Sequence, residues 1–184
     1  MMVGLVVYVF AFVGVLGLCA LAAVQDFKGF RIPNVIPAAI IGLFALAFAV
    51  TKITGQSSEA FSPFLSHVMA GFIVLALTGG MYAAKLLGAG DSKFATAVAL
   101  WTGLSGFAAF MFYMAVAGGL LGGAALLMRK YKPFKTAPVG SFLDKAQNGE
   151  NAVPYGIAIT VGAYVGFAFA GYFDPEKLRL IAGL

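Results

Sequence analysis

Charge is what this sequence has least of. Only 10% of its 184 residues are Asp, Glu, Lys or Arg, against about a quarter in an ordinary soluble domain. So few charges cannot keep a folded surface in water, which excludes a soluble globular enzyme. A hydrophobic share of 61% also excludes a disordered chain. There is one cysteine, Cys19, so neither an internal disulfide nor a four-cysteine zinc site can form. What remains is a polytopic membrane protein.

The long uncharged runs set its organisation. They are Met1 to Gln25, Ile32 to Thr51, Ala60 to Ala84, Phe94 to Met128 and Asn151 to Phe173. A helix needs about 20 apolar residues to cross a bilayer, so four of the runs each supply one span. The fourth run, Phe94 to Met128, would be roughly 52 Å long as one helix at about 1.5 Å per residue, too long for tilt alone. Its centre, Thr102-Gly103-Leu104-Ser105-Gly106, reads as a turn. Splitting there gives a short fourth helix starting near Asp91 and a longer fifth ending near Met128. The expected fold is all-α, with six transmembrane helices and a glycine-rich break before the fourth.

Basic residues set the orientation. With six spans, one face carries Lys28, Arg31, Lys85, Lys93, Arg129, Lys130, Lys132, Lys135 and Lys145, and the other carries Lys52, Lys177 and Arg179. The richer face belongs in the cytoplasm, so both termini are expected outside. Residues 1–184 read as a single domain, without an internal repeat or linker. The N-terminal run has no positive leading region and is too long for a signal peptide. Cys19, preceded by the large Leu18, reads as helix packing rather than a lipid-attachment site.

Among the acids, Glu59, Asp174 and Glu176 fall in outer loops or the tail, and Asp144 and Glu150 in the loop after the fifth helix; all five read as solvated. Asp26 and Asp91 differ. Asp26 closes the first helix in a stretch that runs on through Lys28 and Arg31 to Pro33 and Asn34; Asp91 follows the third helix in Gly88-Ala89-Gly90-Asp91-Ser92-Lys93. Two spans separate them, so both lie at the cytoplasmic face whatever the packing. The bland reading makes each a helix-end acid balanced by a nearby base (Lys28 or Arg31, and Lys93). Gly88 and Gly90 argue for more, since they let the chain leave helical geometry and let another backbone approach. Non-helical backbone at membrane depth survives only against protein or a water-filled cavity.

At these residues the sequence resembles the Gly-x-Gly-Asp intramembrane aspartyl proteases. Among them it is similar to the short prepilin peptidases of tight-adherence (Flp) pilus systems, the CpaA/TadV-like group. The Asp26 segment ending in Arg31-Ile32-Pro33-Asn34, the Gly88-to-Lys93 motif, and Val153-Pro154-Tyr155-Gly156 opening the last helix carry the likeness. The resemblance implies an aspartic endopeptidase of the bacterial inner membrane. Such an enzyme removes the short basic leader of a Flp-type pilin precursor at the cytoplasmic face, typically after a glycine. It implies Asp26 and Asp91 as the catalytic pair and a border of Gly88, Gly90, Lys93, Arg31, Pro33, Asn34, Pro154, Tyr155 and Gly156. Pro33 and Asn34 also read as the start of the second helix, and Pro154 as the start of the sixth. No cofactor or metal is implied. The larger prepilin peptidases carry a cytoplasmic insertion with paired cysteines that is missing here, so no N-methyltransferase domain is expected.

Two carboxylates close together cannot both ionise cheaply, so they share one proton. That suits hydrolysis without a covalent intermediate: the ionised acid deprotonates water while the protonated one donates to the scissile carbonyl. Helix dipoles favour Asp91, at a helix N-terminus, as the ionised member and Asp26, at a C-terminus, as the acid. His67, the sole histidine, falls at the outer end of the third helix and reads as an interface residue, leaving no Ser-His or Cys-His pair and no metal ligands. The run Arg129 to Lys135 marks the inner surface and attracts anionic lipid. Nucleic-acid binding is not expected, because orientation already accounts for the net charge of +5. The alternative is a small transporter or channel using the same aspartates as proton or cation sites. Such carboxylates tend towards the midplane, whereas these stand at helix ends. Oligomeric state is not legible.

Overall fold

A computed structural model describes residues 2–134, 136–150 and 153–183. Lys135, counted above with the inner basic residues, lies outside the described residues, as do Met1 and Asn151 at the starts of two uncharged runs. The chain forms α1 (Met2–Gly29), α2 (Val35–Ile53), α3 (Ser57–Ala60), α4 (Phe64–Ala83), α5 (Ala89–Tyr131), α6 (Phe142–Gln147), α7 (Tyr155–Phe169) and α8 (Pro175–Ala182). Helix is what such runs must form, because an α-helix satisfies its own backbone polar groups without water. Four stretches are long and apolar enough to cross a membrane: α1, α2, α3 with α4, and α5. Helix α7 is apolar but only 15 residues long.

The buried positions explain the packing. On α1 they are Gly4, Tyr8, Ala11, Phe12, Val15, Cys19, Ala22 and Asp26. Steps of three and four residues put them on one face, so Asp26 is the inward-facing end of the core stripe. Cys19 lies in the middle of that stripe, fully buried, which fits its reading as packing. The first half of α5 is buried almost all round, from Phe94 to Trp101, so it runs through the centre of the bundle.

Helix α5 spans 43 residues, yet it does not run straight. Gly103 has φ 56° and ψ −172°, a left-handed backbone that only glycine adopts easily. The chain turns back there. Residue 106 meets Gly166, whereas Gly118 lies against Tyr155, so the second half of α5 runs antiparallel to α7. Tyr155 in turn lines one cavity with Gly88 and Asp91 from the start of α5. The two halves of α5 are therefore an antiparallel pair, and the turn falls inside the Thr102–Gly106 stretch where the sequence predicts it. Close contact between helices depends on small residues: a Cβ on Gly162 would stand 2.6 Å from the Phe110 carbonyl oxygen.

Helix α2 begins at Val35, with Asn34 in helical geometry as its cap and the Pro33 carbonyl accepting from the Ile36 N–H at 3.0 Å, so the two residues open the helix as the sequence reads. One local feature differs from expectation. His67 is buried at 2% exposure. Its Nδ1 lies 2.7 Å from the Leu100 carbonyl and its ring 5.1 Å from Phe44. It is a core residue between α4 and α5 rather than an interface residue, because α5 supplies a carbonyl partner that local sequence cannot reveal.

Candidate active site

Four segments converge at one end of the bundle: the end of α1, the loop from α4 to α5, the first turn of α5 and the first turn of α7. Between them lies a cavity of about 350 Å³ lined by both aspartates, with Phe30, Lys85, Gly88 and Tyr155 among its walls. Asp26 and Asp91, 65 positions apart in the sequence, share it. Asp26 is buried at 4% exposure, while Asp91 is half-buried.

A backbone N–H holds each carboxylate. Gly156 donates to Asp26 Oδ2 at 2.7 Å, and Gly88 donates to Asp91 Oδ2 at 3.2 Å. Both donors sit at helix N-termini, α7 and α5 respectively, where unpaired N–H groups and the helix dipole support negative charge. The dipole contrast expected between the two acids is thus offset, because α7 brings to Asp26 the same kind of donor that α5 gives Asp91. Among the described residues no hydrogen bond reaches Oδ1 of either carboxylate. One oxygen of each is left for water or substrate.

The bland alternative for these acids was charge balance by a neighbouring base. Among the described residues the ion pairs are Lys145–Glu150 and Arg179–Glu176, and neither includes Asp26 or Asp91. Lys93 instead donates to Asn34 Oδ1 at 3.0 Å. That pair lines a separate recess with Pro37 and Ile41. Arg31 and Pro33 are exposed and do not line the cavity.

The other expected border residues lie closer. Gly88 and Tyr155 line the cavity, and Pro154 is buried as the cap of α7. Gly156 lies so near that a Cβ there would stand 2.8 Å from Asp26 Cβ. Gly90 packs against the α1–α2 loop, where a Cβ would meet the Ile32 carbonyl oxygen at 3.3 Å. The close backbone approach read from the glycines is therefore present. Val153, quoted with the last motif, also lines the cavity, as do Phe30, Lys85, Leu86 and Leu87, which were not singled out from sequence. Proximity to an aspartate in the chain, within six residues for all four, was the available signal.

A model of the type IV leader peptidase family matches residues 4–123. The chain belongs to this family. Membership makes it a protease of the prepilin-leader kind and does not favour the transport alternative. The matched stretch of this leader peptidase holds both aspartates, whereas α6, α7 and α8 follow it. Comparison with curated proteins and with solved structures gives no match.

Proposed function

We propose that this leader peptidase is an aspartic endopeptidase of the short, Flp-pilus type. In this reading the chain crosses the bacterial inner membrane six times, with both halves of α5 counted as crossings and both termini outside. The cavity then opens to the cytoplasm, where the nine-to-three bias of basic residues puts it. Its substrate is a pilin precursor whose basic leader lies on the cytoplasmic side of an apolar segment.

The observation that carries the reading is the shared cavity, with each carboxylate tied by one oxygen to a helix N-terminus and open at the other. In the reaction, the ionised aspartate takes a proton from water and the resulting hydroxide attacks the scissile carbonyl carbon. The protonated aspartate gives its proton to the carbonyl oxygen. The tetrahedral intermediate then collapses, the C–N bond breaks, and a proton passes to the leaving amine. The backbone N–H groups hold the carboxylates in place without consuming a proton.

Co-expression with candidate prepilins, scored by leader loss, tests this. Asp26→Asn and Asp91→Asn should each reduce cleavage to background while the variant protein accumulates in the membrane at the wild-type level. Full cleavage by either variant would rule out the two-aspartate mechanism.

A further inference from the structure

Three bases stand at the end of the bundle away from the aspartates. Arg179 is paired with Glu176 at 2.9 Å. Lys177 donates to the Ala170 carbonyl at 3.3 Å and lies over the Tyr172 ring. Lys52, by contrast, makes no ion pair among the described residues. It lines a recess of about 530 Å³ together with Ser57, Ser58, Ser62, Phe48 and Phe64. The Ser58 hydroxyl donates to Glu59 at 3.2 Å, but Glu59 does not line the recess.

Position matters as much as charge. The uncharged run Ile32 to Thr51 is about the length that crosses a bilayer core, and Lys52 is the first charge beyond it, at the depth of lipid headgroups. Phe48 and Phe64, whose rings meet at 5.0 Å, also border a second cavity of about 330 Å³. This one is an apolar groove between α2 and α4, floored by Leu100 of α5, and it reaches Ile41 near the middle of α2. A cation and hydroxyl donors at headgroup depth, continued by an apolar groove towards the midplane, match an amphipathic ligand with an anionic head. The apolar segment of a pilin precursor matches worse. Ile41 also borders the recess that holds Lys93, and a basic leader would meet that lysine as like charge.

We propose that Lys52 marks a binding site for an anionic phospholipid. The phosphate sits on Lys52 Nζ and the serine hydroxyls, and one acyl chain lies in the groove between α2 and α4. The site holds whether or not the cavity at the opposite end is proteolytic.

The chain carries its own reporter. Trp101 is the sole tryptophan, fully buried, with its ring 5.8 Å from Phe44, which lines the groove. The test uses the full chain in phosphatidylcholine vesicles, into which phosphatidylglycerol or phosphatidylcholine with brominated acyl chains is titrated. Bromine in the groove quenches Trp101 fluorescence at short range. Brominated phosphatidylglycerol should reach half-maximal quenching at about a fivefold lower membrane fraction than brominated phosphatidylcholine, the worth of one lysine at a lipid surface. Lys52→Gln should abolish that preference, whereas Lys130→Gln, which removes the same charge at the other end, should keep it. Ala45→Phe, at an exposed position that lines the groove, should weaken quenching by both lipids. Equal quenching by the two headgroups in wild type overturns the proposal, as does a Lys52→Gln variant that keeps the preference. Unchanged quenching in Ala45→Phe overturns it too. Relief of quenching by an added prepilin would give the groove to the substrate's apolar segment instead.

Discussion

The two ends of this bundle are built on opposite principles. At the end away from the aspartates, Tyr8, Phe12, Phe61, Trp101 and Tyr172 interlock and are all buried. Phe12 stacks on Tyr172 at 4.8 Å and Tyr8 meets Phe61 edge-on at 5.4 Å. Two of the three polar tips are paired: Tyr172 donates to the Trp101 carbonyl at 2.7 Å, and the Trp101 indole donates to the Ile40 carbonyl at 3.0 Å, whereas the buried Tyr8 hydroxyl has no hydrogen-bond partner among the described residues. Helix α8 closes this end, with the Gln56 amide donating to the Ile181 carbonyl. At the other end, four chain segments leave a cavity, two carboxylates hang from single N–H donors, and two helix ends are strained. The interlocked aromatics hold the helices together while the aspartate end stays open, a division between scaffold and proposed site, although a recess of about 530 Å³ lined by Phe48, Lys52 and Phe61 also opens beside the aromatic cluster.

If that division is real, damage at the packed end should appear as lost stability and damage at the open end as lost turnover. The largest effect is expected from Trp101→Ala, which removes a fully buried indole and its hydrogen bond. A loss of about 3–5 kcal/mol should lower the thermal unfolding midpoint steeply while cleavage per folded molecule stays near wild type. A variant that folds normally but is inactive would break the comparison. Next comes Gly156→Ala, whose Cβ would displace Asp26. In the proposed mechanism, misplacing Asp26 by about an ångström would cost about a hundredfold in rate. Prepilin cleavage per folded molecule should therefore fall by that order, and unchanged turnover would show that α7 does not position Asp26. The smallest effect is expected from Lys93→Met. Lys93 is exposed and bonded to Asn34 in a separate recess, so cleavage should change by less than about threefold, under 1 kcal/mol in barrier. A larger fall would return Lys93 to the border of the site.

Much of this was legible because local rules suffice for it. Uncharged runs became helices, Gly103 turned the chain within the predicted stretch, and Gly88 broke it before Asp91. Pro154 capped the last long helix. The short helices α3, α6 and α8 were not read, since four to eight residues carry too little periodicity to stand out. Lys93 lies two residues from Asp91 in the chain but bonds Asn34, because successive helical positions point about 100° apart. The burial of His67 and the wall formed by Phe30 depended on partners distant in sequence or on a backbone angle. Neither is written in composition.

By itself, then, the sequence determined that the chain is helical, where its helices turn, and that Asp26 and Asp91 end up on the same side. Those follow from backbone hydrogen bonding in an apolar medium and from counting passes. Only the tertiary structure decided that the two acids face one cavity and that Gly156, 130 residues from Asp26, holds one of them. It also decided that Lys93 and Asn34 turn to each other. Which face a residue presents to a distant helix is set by how side chains interlock across the bundle, and that information belongs to pairs of segments rather than to either one alone.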